Sequence, residues 1–239
     1  MIGGLSARVR TLLRRWFGAP YDYLEAYRKV DLATDYWSIV GPESEAEFLS
    51  LGAGKRQMLV ELGLAPDSRL LDVGCGTGQL TAAVEEYLGP GGAYLGTDIA
   101  PEAVTFCRSR FRRSNFRFLQ SEMTSLPIAD DRFDFIYFGS VFTHMYPPEI
   151  HLMLVEVRRL LASGGCVIAD AFLTDVAAGS RGDRRRVLVD EAGLLRTFAA
   201  TGFSHQVIHS WPCEAGVRRA IFQLRPEGGT AAAGPSAAM

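Results

Sequence analysis

The sequence predicts an α/β fold, a mostly parallel sheet of seven strands behind a helical N-terminal cap. Three observations carry this expectation. From residue 69 onward, short apolar runs each enter a turn and then a helical pattern, which is how a parallel sheet with crossover helices reads. One of those turns holds glycine at alternate positions, Gly74, Gly76 and Gly78. The chain of 239 residues is 48% hydrophobic, 22% charged and 10% aromatic, enough apolar material for a sizeable core and outside the range of disordered or fibrous chains.

Residues 5–17 place Leu5, Val9, Leu12, Leu13 and Trp16 every three or four positions, with Arg8, Arg10, Arg14 and Arg15 between them. This is the pattern of an amphipathic basic helix, suited to a membrane surface, a neighbouring domain or a partner subunit, a homodimer included. The same arginines interrupt what would have to be the apolar core of a signal peptide. An aromatic and acidic stretch follows from Tyr21 to Trp37, and a second helix is expected over residues 43–62. Together these make a helical cap of residues 1–65. Strands are expected at 69–73, 93–98, 116–119, 133–138 and 166–171, with helices near 79–88, 101–112 and 148–161 between them. Asp190 reads as the N-cap of a helix ending near Gly202, and strands at 203–210 and 219–224 complete the sheet. Residues 66–226 then form one domain. The tail 227–239 is built almost wholly of small residues and is expected to be disordered.

Twenty-five Lys and Arg against 27 Asp and Glu give a net charge of -2, without the basic excess of a nucleic-acid-binding domain, so no nucleic-acid partner is expected. No window approaches the ~18 apolar residues of a membrane-spanning helix. Cys75, Cys107, Cys166 and Cys213 are widely spaced, with no CxxC and no Cys/His cluster. That spacing argues for a reducing cytoplasm and against a metal site.

The segment Leu70-Leu71-Asp72-Val73-Gly74-Cys75-Gly76-Thr77-Gly78 is an apolar strand running into a G-x-G-x-G turn and then a helix. The dinucleotide fingerprint needs glycine at 79, where Gln79 stands, and no Gly-Lys-Ser or Gly-Lys-Thr of a P-loop follows. Glycines let the backbone take positive φ and let a ligand approach the main chain where a Cβ would block it. Past this turn the second strand ends in Gly96-Thr97-Asp98-Ile99, a carboxylate at a strand C-terminus, where ligands of open α/β sheets bind. Asp98 there can accept from both hydroxyls of a ribose, with Ile99 against a base, or it can cap the helix that begins at Pro101.

With Phe133-Asp134-Phe135-Ile136-Tyr137-Phe138 and Leu160-Leu161-Ala162-Ser163-Gly164-Gly165, these segments resemble class I S-adenosylmethionine-dependent methyltransferases. The resemblance implies a Rossmann-like sheet in the order 3-2-1-4-5-7-6, its last-formed strand antiparallel, with helices on both faces. It implies S-adenosyl-L-methionine as cofactor over the C-terminal edges of the first strands. Asp72, Gly74, Cys75, Gly76 and Gly78 would then pass its methionyl part, Asp98 would hold the ribose beside Ile99, and Ser140 would follow at the fourth strand. Glu122 and Met123 would flank the adenine, although many relatives carry aspartate where Glu122 stands, and Met123 also reads as core packing.

In relatives the loop Gly139 to Met145 forms the floor on which the methyl group meets the acceptor, which makes His144 the candidate general base; it also reads as a cap to the next helix. Tyr21, Tyr23, Tyr27, Tyr36 and Trp37 lie where relatives fold a lid over the cofactor, with Tyr27 and Trp37 singled out. Arg181, Arg184, Arg185 and Arg186 follow the fifth strand, where a phosphate or carboxylate of the acceptor can be met. The arginines between 108 and 117 read as a solvated helix face, and His205 and His209 as edge positions. The expected function is methyl transfer to a small molecule, a hydroxyl of a secondary metabolite or sugar. The alternatives are a cofactor-binding protein that does not methylate and a peripheral-membrane enzyme of a lipid or quinone, anchored through residues 5–17.

Overall fold

The computed structural model describes residues 23–175 and 184–228. The expected helix over 5–17, Tyr21, Arg181 and nearly all of the tail lie outside the described residues. Helix α1 (Tyr23–Lys29), a 3-10 turn (Ser38–Val40) and α2 (Glu45–Glu61) precede the sheet. Ser44 starts α2 by accepting the Glu47 N–H, while the Glu47 carboxylate accepts the Glu43 N–H, so two otherwise unpaired backbone donors are satisfied.

The strands are β1 (Arg69–Val73), β2 (Ala93–Asp98), β3 (Phe116–Gln120), β4 (Phe133–Phe138), β5 (Leu161–Thr174), β6 (Leu188–Asp190), β7 (Phe203–Glu214) and β8 (Val217–Pro226). Helices α3 (Gln79–Val84), α4 (Pro101–Arg110), α5 (Pro147–Leu160) and α6 (Glu191–Ala200) connect them. The order is β3-β2-β1-β4-β5-β8-β7, with β6 parallel to β5 off this path. This is the expected order with one added strand, β6, and β8 runs antiparallel to both neighbours. Strand β5 extends past 166–171 at both ends, because Leu161 pairs with Phe133 of β4 and Phe172, Leu173 and Thr174 pair with β6 and β8. Helix α3 is shorter than 79–88, its last residues passing into a turn that keeps the bond from Leu88 N to Val84 O.

Along β1 successive side chains enter opposite faces: Leu71 joins Ile136, Phe138 and Leu154 under α5 and α6, whereas Leu70 joins Leu59, Leu80 and Ile168 under α2 and α3. Both faces are buried, which is why these strands read as near-continuous apolar runs. Because β1, β2, β3 and β4 are parallel, Asp72, Asp98, Glu122 and Ser140 all reach the same edge of the sheet. His205 and His209 lie exposed on the edge strand β7. Among the described residues no helix is long and apolar enough to cross a membrane.

Candidate active site

A cavity of about 400 Å³ lies over that edge. Its floor is the glycine turn and the strand ends, and its roof comes from α1 and the 3-10 turn through Tyr23, Tyr27, Ile39 and Val40. The turn has left-handed backbone at Gly74 (φ 73°), Gly76 (φ 54°) and Gly78 (φ 85°). A Cβ at Gly74 would lie 2.5 Å from Val141, and one at Gly76 would lie 2.7 Å from Val40, so side chains there would collide with wall and roof. The N–H groups of Gly74 and Cys75 both donate to the Thr97 carbonyl, at 2.7 and 2.9 Å, which fixes the turn to β2. Gly78, expected with the cofactor contacts, is not among the cavity-lining residues. Its conformation serves the start of α3 and a close approach to Phe111.

Asp98 is buried, and its two oxygens accept the N–H groups of Gly76 and Ala100, each at 2.9 Å. Burial raises its pKa while these backbone bonds oppose the rise. Asp98 therefore braces the glycine turn and the start of α4, and each oxygen keeps a lone pair for a further donor. Ile99, Ser121, Glu122 and Met123 continue the wall past β2 and β3.

Asp72 faces the cavity from β1, its Oδ2 accepting the Tyr94 hydroxyl at 2.7 Å, and Thr81 donates to that hydroxyl in turn. Burial pushes the Asp72 pKa up to about 6, against the Tyr94 bond and the charge of Lys55. Lys55 reaches the same wall from α2, and burial lowers its pKa while Asp72 and Asp170 pull it back. Sequence reasoning missed Lys55, although Lys29 and Lys55 are the only lysines among 25 basic residues.

Ser140 has φ 60°, a conformation that costs a non-glycine residue about 1 to 2 kcal/mol. Asp170 holds it by accepting the Ser140 N–H at 2.6 Å, while Arg219 donates to the Asp170 carboxylate at 2.7 Å and to Ser140 Oγ at 2.6 Å. Neither Asp170 nor Arg219 belongs to a motif, and no local signal marks them.

His144 lines the cavity, its Nδ1 2.8 Å from the Arg184 carbonyl. Because a carbonyl only accepts, this bond places the ring proton on Nδ1 and leaves Nε2 a lone pair. Burial lowers the His144 pKa, so the ring is neutral at pH 7. The Tyr23 ring meets it edge-on at 5.1 Å, and the Tyr23 hydroxyl donates to the same Arg184 carbonyl at 3.2 Å.

The arginine-rich loop behaves differently from expectation at Arg184. Its guanidinium makes two bonds to Glu149, at 2.9 and 2.6 Å, and lies over the Tyr146 ring, so it clamps the loop to the start of α5. Arg186 pairs with Glu214 at 3.2 Å, whereas Arg185 lines the cavity. Of the singled-out aromatics, Tyr27 lines the cavity and Trp37 does not; Tyr36 is buried and stacks on Phe106. Of the arginines between 108 and 117, Arg113 is half-buried and the other four are exposed, although Arg108 donates twice to the Phe118 carbonyl and Arg110 donates to the Tyr36 hydroxyl. Among the described residues no group of three or more His, Cys, Asp or Glu is placed to hold a metal ion.

A mostly parallel sheet whose first strand bends into a G-x-G-x-G turn, beside a carboxylate ending the second, defines a Rossmann-like methyltransferase fold. Residues 70–165 match the sequence model of a family described as a methyltransferase domain. A probable cobalt-precorrin-6B C(15)-methyltransferase (decarboxylating) of Thermoplasma acidophilum is 27% identical over 117 residues, 47% of this chain and 55% of that protein. Demethylmenaquinone methyltransferase of Staphylococcus aureus is 26% identical over 115 residues, 48% of this chain and 47% of that protein. The chain thus spans about half the length of the curated relatives it matches. Among solved structures, the 1,6-didemethyltoxoflavin-N1-methyltransferase of Burkholderia thailandensis, with bound 1,6-didemethyltoxoflavin and S-adenosylhomocysteine, shares the fold with a TM-score of 0.62 at 19% identity, over 95% of this chain and 93% of that one. Residues 70–165 thus resemble the class I S-adenosylmethionine-dependent methyltransferases.

Proposed function

We propose that this protein transfers the methyl group of S-adenosyl-L-methionine to a hydroxyl of a small, largely apolar acceptor. One observation carries the reading: a single cavity runs from Asp98, over the positive-φ turn, to a His144 imidazole whose Nδ1 is bonded to the Arg184 carbonyl. The residues fit the cofactor, since Asp98 has a lone pair left on each oxygen for a ribose diol and the turn exposes main chain where a Cβ would stand. Glu122 and Met123 flank the base, and Ile99 lies against it. When bound, the cofactor supplies an electrophilic methyl group on a positively charged sulfur, with a neutral thioether as leaving group. The chain is then left with alignment and the removal of one proton. Ser140, held by Asp170 and Arg219, shapes the wall past which the acceptor is aligned, and His144 Nε2 takes the hydroxyl proton.

Met123, Val141, Met145 and Met153 make the acceptor end apolar and deformable, which suits a hydroxyl on an apolar ring of a secondary metabolite better than one on a bare sugar. The named relatives also act on small molecules. The cysteines are all unpaired, three of them buried, which supports a reducing compartment such as the cytoplasm. Isothermal titration with S-adenosylmethionine and S-adenosylhomocysteine, with NAD as control, tests the cofactor, and release of S-adenosylhomocysteine over a panel of hydroxylated compounds then tests the acceptor. Micromolar binding of the first two and none of NAD is expected. Failure of both adenosyl ligands to bind would overturn the reading.

A further inference from the structure

Residues 184–187 are fastened to the turn that carries His144 by three contacts. The Val187 N–H donates to the Thr143 carbonyl at 2.7 Å, the Arg184 guanidinium comes within 3.5 Å of the His144 carbonyl, and the Arg184 carbonyl meets His144 Nδ1 at 2.8 Å. Arg184 thus brackets one residue from two sides, its side chain on the main chain of His144 and its main chain on the ring. The Tyr23 hydroxyl donates to that same carbonyl, so α1 closes on the same pair. What fixes Arg184 is Glu149. This carboxylate stands at the third position of α5 and accepts the Tyr146 N–H at 2.8 Å, which anchors it to the helix start independently of the arginine. It then takes both ends of the guanidinium, the two side chains being only 14% and 21% exposed. A two-bond pair shielded to that degree fixes an orientation as well as a charge, which a single bond between surface side chains does not.

A neutral imidazole has two tautomers, and the partner of one nitrogen decides where the proton sits. A carbonyl accepts and cannot donate, so the nitrogen that faces it is the protonated one. Placing the Arg184 carbonyl is therefore a choice of tautomer, and the placement is set at the other end of the same residue, by Glu149. We propose that Glu149 and Arg184 are positioning residues for His144: their ion pair holds the Arg184 carbonyl against Nδ1, which keeps the proton there and leaves the Nε2 lone pair to act. The inference deepens the methyl-transfer reading and rests on it only for what Nε2 then does, the removal of the acceptor proton.

The test is nuclear magnetic resonance of the full chain with isotope-labelled histidine rings, near neutral pH. The chain has four histidines, and His144→Gln assigns the signals of the one in question. Two variants break the pair differently, each checked by thermal melting. Glu149→Gln keeps an acceptor for the Tyr146 N–H and removes the charge, whereas Arg184→Met keeps the apolar stem and removes the guanidinium. In the wild type the ring proton is expected on Nδ1. In both variants the ratio of the Nδ1-protonated to the Nε2-protonated form is expected to fall about fivefold, the worth of one hydrogen bond. Calorimetric affinity for S-adenosylhomocysteine should stay within about twofold, and once an acceptor is in hand kcat should fall about tenfold without a matching change in KM for S-adenosylmethionine. A wild-type ring protonated on Nε2, or a tautomer ratio unchanged in both variants, overturns the proposal. A redistributed proton with unchanged kcat would instead overturn His144 as the base, and would uphold the pair as what orients its ring.

Discussion

Replacing Asp72 by asparagine is expected to stabilise the ligand-free protein at pH 7.5 and to do so progressively less as the pH falls. Asp72 is 3% exposed, and burial lifts its carboxyl from 3.8 to about 6 even with the Tyr94 hydroxyl and the Lys55 charge working the other way. A pKa raised by folding contributes stability that is fully present below the unfolded value and is lost as the pH rises through the folded one. The interval from 3.8 to about 6 corresponds to about 3 kcal/mol at roughly 1.36 kcal/mol per pH unit. Of this, about 2 kcal/mol is lost between roughly pH 4.5 and 7.5. Asparagine has nearly the same shape, still accepts from the Tyr94 hydroxyl through its carbonyl oxygen, and has no charge to bury. Its weaker hydrogen bond costs about 1 kcal/mol at every pH, so the change in the stability difference between the two pH values is the quantity that isolates the charge. Urea denaturation of both proteins at the two pH values measures it. A change below about 0.5 kcal/mol would refute the assignment of a buried, ionised carboxylate at neutral pH.

Three further substitutions test the rest of the site. Asp98→Ala is expected to weaken S-adenosylhomocysteine binding by about 1 to 3 kcal/mol, and unchanged calorimetric affinity would remove Asp98 from the ribose. His144→Ala is expected to lower kcat roughly 100-fold with cofactor affinity intact. Because burial lowers the wild-type His144 pKa, the acid limb of kcat/KM should fall below the ordinary histidine value of 6.5; a fall of under about threefold in kcat, or an acid limb above pH 7, would return His144 to a packing role. Gly76→Ala combines a φ of 54° with a Cβ 2.7 Å from Val40. It is expected to lower stability by about 1 to 2 kcal/mol and to weaken S-adenosylhomocysteine binding, both visible in melts with and without ligand.

What could be read in the chain before folding was whatever depends on neighbours in sequence. The bounds of β1, β2 and β4 coincide with the apolar runs at 69–73, 93–98 and 133–138, because a strand buried on both faces needs an uninterrupted run. The glycine turn was legible for the same reason, since positive φ is a demand of the local backbone. Strand β6 was not, because its three residues become a strand only by pairing with Phe172, Leu173 and Thr174. Lys55, Asp170 and Arg219 come from a helix before β1 and from β5 and β8, and only sheet closure brings them to one cavity wall or its support. The position of Arg184 in a loop after the fifth strand suggests an anion of the acceptor, yet the anion it meets is Glu149, on a different element. The place of Gly78 in the motif points to the ligand, and only the folded chain adds the close approach of Phe111 to that glycine.

The Tyr23 hydroxyl and the Arg184 carbonyl, 161 residues apart in sequence, meet over the cavity in one hydrogen bond. Both lie outside the matched segment 70–165, which holds the floor. The covering is therefore a seam between two edges of the chain that flank the matched segment, and mutation on either side of it can reshape the roof of the cavity while the floor stays as it is. Grafting the two edges from a relative onto an unchanged 70–165 would therefore change what the roof admits without touching the floor.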